Sequence, residues 1–199
     1  MTNQIYLFLF LVVFLAIPVL FRSYLLWKST GINAFTFDNT KDDAHSFNGQ
    51  VFKMITILEL IIVIIYSFGG DAAQYLLPFW YLENSMASLI GWVFMHIALI
   101  WIIVAQLQMS DAWRIGIDYK NETDLIQYGL FSISRNPIFF GIIITNIGLF
   151  LVVPNAFTLV ITILSTYAIN IQIRLEEVYL QESHTDNYSE YSSKVRRWL

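Results

Sequence analysis

Five apolar stretches dominate this sequence, at 5–26, 51–68, 86–107, 138–153 and 156–173. About 20 apolar residues cross a bilayer core at 1.5 Å per residue. The first and third stretches reach that length. The fourth and fifth are shorter and meet back to back at Val153-Pro154-Asn155, which predicts a helical hairpin. Charged residues make up 13% of the 199 and apolar ones 57%, against roughly 25% charged in a soluble domain. So few charges cannot clothe a water-exposed surface. The expected fold is an all-α integral membrane protein of about five transmembrane helices, with a C-terminal hairpin and a short cytoplasmic C-terminal helix. It forms one membrane domain over 1–199, with three N-terminal helices in 1–107 and the hairpin, its leading loop and the C-terminal segment in 108–199. The first stretch lacks a basic leader and a small-residue cleavage site, so it reads as a permanent helix and not a signal peptide.

Lysine and arginine set the expected orientation. Arg22, Lys28, Lys41 and Lys53 lie in or beside the first connection, and Arg114, Lys120 and Arg135 lie between the third and fourth stretches. Arg174, Lys194, Arg196 and Arg197 follow the fifth. The leader, the 69–85 loop and the 153–155 turn carry none. This pattern predicts an outside N-terminus and a cytoplasmic C-terminus. Isoleucine- and asparagine-rich usage points to a bacterial cytoplasmic membrane. Cysteine is absent, which excludes disulfides and thiolate chemistry. Three histidines do not suggest a metal cage, and a net charge of −4 makes no electrostatic case for nucleic acid.

Some residues are out of place on lipid-facing helices. Glu59 and His96 stand mid-way along the second and third stretches, where an ionisable group is costly. They read as inward-facing groups that hydrogen-bond each other or nearby backbone. Thr162, Thr166, Asn170 and Arg174 recur every four residues and form one polar stripe that continues into Glu176 and Glu177. Small polar residues that glue helices together account for the threonines; the charged cluster invites either a site or plain solvation. At the start of the fourth helix, Asn136 is a good N-cap and Pro137 a good first residue. The N–H groups of that end attract an anion. Gly141 and Gly148 leave one face bare, for a ligand or for another helix. Tyr188, Tyr191 and Val195 share a face of a short helix that packs over the hairpin. Arg196 and Arg197 are expected at anionic headgroups, and Trp113 and Trp198 at the membrane interface.

Four pieces, in order, carry a resemblance: DAWRIGID (111–118), TDLIQYGLF (123–131), SRNPIFFG (134–141) and RLEEVYLQESHTDNYSEYSSKV (174–195). Together they resemble the isoprenylcysteine carboxyl methyltransferase family, a pattern that the related phospholipid methyltransferases share. The third piece is similar to that family's arginine–histidine–proline–x–tyrosine–x–glycine, with Asn136 for the histidine and Phe139 for the tyrosine. Asn136 keeps hydrogen-bonding capacity; Phe139 can only pack. The resemblance implies S-adenosylmethionine as cofactor, touching Leu125, Ile126, Asn136, Pro137, Ile138, Phe139 and Glu176, with Phe131 near the adenine. It implies that Arg174 faces a lipid-like or prenylated acceptor drawn from the bilayer. Glu177 is the second catalytic candidate, and the two glutamates remain alternatives for the cofactor contact.

Methyl transfer is an in-line displacement at a sulfonium carbon. A carboxylate acceptor is already ionised at neutral pH and needs no base; a dry site and good orientation carry the reaction. An amine acceptor must lose a proton, which Glu176 or Glu177 would take. The expected function is therefore methyl transfer to a carboxylate or other nucleophile of a lipid-like acceptor. Phospholipid N-methylation, an NADPH-dependent membrane reductase of related fold, and a non-catalytic membrane scaffold or transporter are the alternatives.

Overall fold

A computed structural model describes residues 2–37, 43–121 and 123–199. Six α-helices follow in order: α1 (Thr2–Leu15), α2 (Arg22–Thr30), α3 (Ala44–Phe68), α4 (Ser85–Met109), α5 (Pro137–Val152) and α6 (Ala156–Lys194). The described residues hold two isolated β-bridges and no strand. Lys41, part of the basic pattern, lies outside the described residues. The fold is that of an all-helical integral membrane protein. Four segments are long and apolar enough to cross a bilayer: Asn3–Thr30, Ala44–Phe68, Ser85–Ala112 and Ala156–Lys194. With 16 residues, α5 reaches only about 24 Å, short of a hydrocarbon core of about 30 Å.

The first crossing is one rod because a π-helical turn, Ala16–Phe21, joins α1 to α2. Pro18 has no N–H and its ring collides with the preceding turn, and the wider turn absorbs both effects. Buried Gln106 of α4 finds its partner there, donating to the Pro18 carbonyl at 2.9 Å. Side chains cap three of the helices: Asp43 accepts from Ser46 N–H, Asn84 from Ala87 N–H, and Asn155 forms a capping box with Thr158. The helices outrun the apolar stretches, above all α6. Expected to end at 173, it continues to Lys194, interrupted only at Thr185 (φ 40°, ψ −105°). The short C-terminal helix is thus the last piece of α6 beyond that break.

Lipid gives helices little hydrophobic reason to associate, so close packing and interhelical hydrogen bonds decide the arrangement. The tightest seam joins α4 to α5. A Cβ on Gly148 would lie 2.6 Å from Met95 Cγ and 2.7 Å from the Gly91 carbonyl, and one on Gly141 would meet Ile102 at 2.5 Å. The bare face of α5 is therefore filled by a helix and not by a ligand. On its other side, α5 meets α6 through Asn146, which donates to Ser165 Oγ at 2.8 Å and accepts from Thr162 at 3.1 Å. Thr166 and Asn170 bond to carbonyls one turn back in α6. The α3 helix packs on α6 through Ile55, Ile62, Ile161 and Ala168. His96 Nδ1 donates to the Trp92 carbonyl at 2.7 Å, which leaves Nε2 to accept from Tyr6 at 2.8 Å. Glu59 does not join it; it stands half-buried on the α3 face of Ile55 and Ile62.

The two ends differ. At one, the 69–85 loop and the hairpin turn are sewn together by Phe79 N–H to Pro154 O (2.8 Å) and Ala156 N–H to Leu77 O (3.2 Å). At the other, the 110–121 loop is clamped from three sides. Ile115 pairs with Ala34 and Thr36, Ile117 N–H donates to His45 Nε2 at 2.9 Å, and Tyr179 of α6 donates to the Asp118 carbonyl at 2.9 Å. This basic end carries the 110–137 and 174–199 segments.

Two predictions follow from this packing. Gly148→Ala places a methyl against a backbone oxygen, so the α4–α5 seam must open; we expect about 1–3 kcal/mol of destabilisation, read as a lower melting temperature in detergent. An unchanged melt would refute the seam. Asp118 supplies the second. Burial alone would raise its carboxyl, but hydrogen bonds from Asn121, Lys120 N–H and Arg114 hold it below the usual carboxylate range. The unfolded chain takes up that proton more readily. The stabilisation is therefore full above the ordinary value and is lost as pH falls through the lower folded value. Asp118→Asn should flatten the fall of melting temperature below about pH 5; an identical acid limb would discount these bonds.

Candidate active site at the basic end

The site is built around the start of α5. Asn136, ahead of a proline, sits outside the α region (φ −133°, ψ 53°), which the proline ring disfavours there. Its side chain makes no capping bond; instead Nδ2 donates to the Arg197 carbonyl at 3.1 Å. Phe140 N–H to Asn136 O is the first helical bond. Among the described residues no acceptor meets the N–H groups of Ile138 and Phe139. The positive end of α5 therefore keeps two unspent donors.

The C-terminal segment is strapped to this start. Arg135 N–H donates to Arg196 O at 2.9 Å, and Ser134 Oγ, buried, donates to Arg197 O at 3.4 Å. Beyond Thr185 the chain brings Tyr188 and Tyr191 into burial, with Tyr191 OH donating to Phe131 O at 2.7 Å. Glu177 locks the strap. Arg197 grips it through Nε (2.9 Å) and Nη2 (2.6 Å), and Arg135 Nη2 lies 2.9 Å from Oε1. The Glu177 hydrogen bond raises the Arg197 guanidinium above its ordinary value, which keeps it charged.

The neighbouring glutamate differs. Glu176 is half-buried and accepts one hydrogen bond, from Gln172 Nε2 at 3.0 Å. Its second oxygen has no partner among the described residues. Arg174 is exposed and forms no hydrogen bond or ion pair among the described residues. It lines an open pocket of about 560 Å³ with Arg135, Glu177, Glu182, Tyr188 and Arg197. Since Glu177 is spoken for by two guanidiniums, the free charge that this pocket offers an anion is that of Arg174.

Of the residues expected from sequence, Phe131, Asn136 and Glu177 are thus drawn together by the C-terminal segment, and Pro137 is buried beside them. Leu125 and Ile126 stand half-buried on the loop leading to Phe131, and Phe139 is half-buried in the first turn of α5. Ile138 packs instead against Leu26, Ala34 and Trp113. Trp113 is 3% exposed, with the Arg22 guanidinium 5.4 Å from its ring centre, so it is a core residue and not an interface anchor. Arg197, expected at headgroups, is spent on Glu177. Sequence reading missed Arg135, Gln172 and Asn48. Only Gln172, one helical turn before Glu176, left a local signal.

The strap makes a prediction of its own. Glu177→Ala should release 195–199 from Arg135 and Asn136, seen as faster amide hydrogen exchange there with α1–α5 unchanged. Undiminished protection would mean that the ion pairs do not hold the segment.

Neither the curated proteins nor the solved structures contain a match to this chain. A family model described as phospholipid methyltransferase matches residues 86–187, just over half of the sequence. The match runs from α4 through the 110–136 loop and α5 into α6, two residues past Thr185. It includes both glutamates and Arg174 and stops short of the strap that ends in Arg197. The chain belongs to the phospholipid methyltransferase family.

Proposed function

We propose that the protein is an S-adenosylmethionine-dependent membrane methyltransferase that acts on the carboxylate of a lipid-like acceptor entering from the bilayer, similar to the isoprenylcysteine carboxyl methyltransferases. The observation that carries this reading is Arg174, unpartnered among the described residues, sharing a pocket with Arg135 just ahead of a helix start with unspent donors, on the frame of a methyltransferase family. We assign the site to the cytoplasmic face of a bacterial membrane, following the basic residues.

The residues present fit the cofactor. The N–H groups of Ile138 and Phe139 suit its carboxylate. Glu176, the glutamate of the pair that no guanidinium neutralises, suits its ammonium. Leu125, Ile126 and Phe131 offer apolar surface to the adenine, and Asn136 and Pro137 shape the wall between them. When bound, S-adenosylmethionine supplies an electrophilic methyl group. Arg174 holds the acceptor carboxylate through two parallel hydrogen bonds and so fixes its lone pair. No base is required. Glu177 keeps the strap closed over this arrangement.

Phospholipid amine methylation is the second reading, and the family match favours it. Here Arg174 holds the phosphate, and Glu176, with one oxygen open, takes the ammonium proton, since both oxygens of Glu177 are engaged.

The test is calorimetry with S-adenosylmethionine and its demethylated product on detergent-purified protein, followed by transfer of labelled methyl to prenylated carboxylates and to phospholipids. We expect micromolar binding and alkali-labile label, because esters hydrolyse in base and N-methyl groups do not. Arg174→Ala should cut transfer about a hundredfold with cofactor affinity little changed. Full activity in that variant sinks the acceptor assignment. Alkali-stable label selects the amine reading. Retention of NADPH in place of S-adenosylmethionine would replace both with a reductase.

A further inference from the structure

Gln172 and Asn48 are among the most buried polar side chains in the molecule, 1% and 2% exposed, and the proposed mechanism does not use them. They form a chain of hydrogen bonds with a fixed direction. Asn48 Nδ2 donates to the Ala168 carbonyl at 3.1 Å and to Gln172 Oε1 at 3.1 Å. Gln172 Nε2 then donates to Glu176 Oε1 at 3.0 Å. A primary amide can flip, exchanging its donor and acceptor sides. A backbone carbonyl cannot: it only accepts. The Ala168 carbonyl therefore requires that Asn48 present its nitrogen to α6. That nitrogen requires that Gln172 present its oxygen to α3. The remaining side of Gln172, its NH₂, must then face Glu176.

We propose that Asn48 and Gln172 are positioning residues that orient Glu176 and thereby set the affinity of the site for the ammonium group of its cofactor. This rests on the reading of Glu176 as a cofactor carboxylate. A donor aimed at one carboxylate oxygen fixes the rotation of the group and decides which oxygen stays open. Oε1 is engaged by Gln172, which leaves Oε2 to meet the ligand. The relay also gives α3 a part in the site. Asn48 lies outside the 86–187 family match, yet it fixes a group inside it from 124 residues away in sequence. Burial makes the arrangement strict, because a reversed amide would set oxygen against oxygen with no water to intervene.

The experiment measures binding of S-adenosylmethionine and of 5′-methylthioadenosine, which lacks the amino-acid portion. The proteins are wild type, Gln172→Met, Asn48→Leu and the double variant. Methionine keeps the volume of glutamine without its donor. Gln172→Met should weaken S-adenosylmethionine roughly tenfold or more, the size of one hydrogen bond to a charged group, and leave methylthioadenosine unchanged. Asn48→Leu should weaken it less, and should add nothing in the Gln172→Met background, because its effect passes through that amide. Melting curves identify any variant that fails to fold. If Gln172→Met is such a variant, Asn48→Leu alone must still separate the two ligands. Equal loss of both ligands, loss of neither, or additive effects in folded variants overturn the relay while the cofactor assignment stands. Wild-type protein that binds no S-adenosylmethionine overturns the assignment, and the relay with it.

Discussion

The contact between α4 and α5 at Gly91 and Gly148 is the constraint on which the rest of the structure depends. With only 16 residues, α5 cannot settle its own depth in a bilayer by hydrophobic length. Its position comes from α4. Backbone meets backbone at the glycines, and Trp101 of α4 donates to the Pro137 carbonyl at 2.9 Å near the basic end. Any side chain at the glycines would push the helices apart and move the start of α5. That start carries the open N–H groups and the segment 134–136, to which the C-terminal strap is bonded. The seam in the apolar part of the molecule thus sets where polar groups can meet at its end.

Two adjacent glutamates show how one helix serves two purposes. Successive residues on an α-helix point about 100° apart and do not share neighbours. Glu177 faces the strap and is consumed by Arg135 and Arg197. Glu176 faces α3 and keeps one oxygen open. A partly buried carboxylate gripped by two cations is costly to break, because loss of either partner leaves charge with fewer partners and less water than it had in the open chain. The strap is therefore a firm element of the site although it lies at the end of the chain. Thr185, in a left-handed conformation that a β-branched residue rarely adopts, is the turn that lets the last part of α6 fold back over α5.

Much of this was legible in the sequence, for reasons that are local. Apolar length marked the crossings, Pro154 the hairpin turn, and Asn136-Pro137 the start of α5. The paired absence of side chains at Gly141 and Gly148 marked a contact face, although not its occupant. What escaped was pairing at a distance. Nothing near Glu177 announces Arg135 or Arg197, and nothing near Gln172 announces Asn48. The extent of α6 escaped for another reason. Its residues beyond 173 are polar and good helix formers, and the apolar count that located the crossing says nothing about where a helix leaves lipid and continues in water. Trp113 misled because tryptophan suits an interface and a core equally; its burial is decided by the 34–36 segment, with which no pattern in 111–118 connects it.

The choice between a carboxylate and an amine acceptor reduces to where a proton can go. Each of the two adjacent glutamates of α6 has a prior commitment. Glu177 has both oxygens engaged by the guanidiniums of Arg135 and Arg197. Glu176 receives the Gln172 hydrogen bond on one oxygen, and on the proposed reading its open oxygen is taken by the ammonium of the cofactor. An amine acceptor would need that same oxygen at the moment of transfer, in competition with the ligand that brings the methyl group. A carboxylate acceptor needs none of it, only a cation to lie against, and Arg174 is a cation with no other partner among the described residues. The economy of charges at this end of the molecule therefore sets the carboxylate reading ahead of the amine reading, even within a family described by its phospholipid substrates.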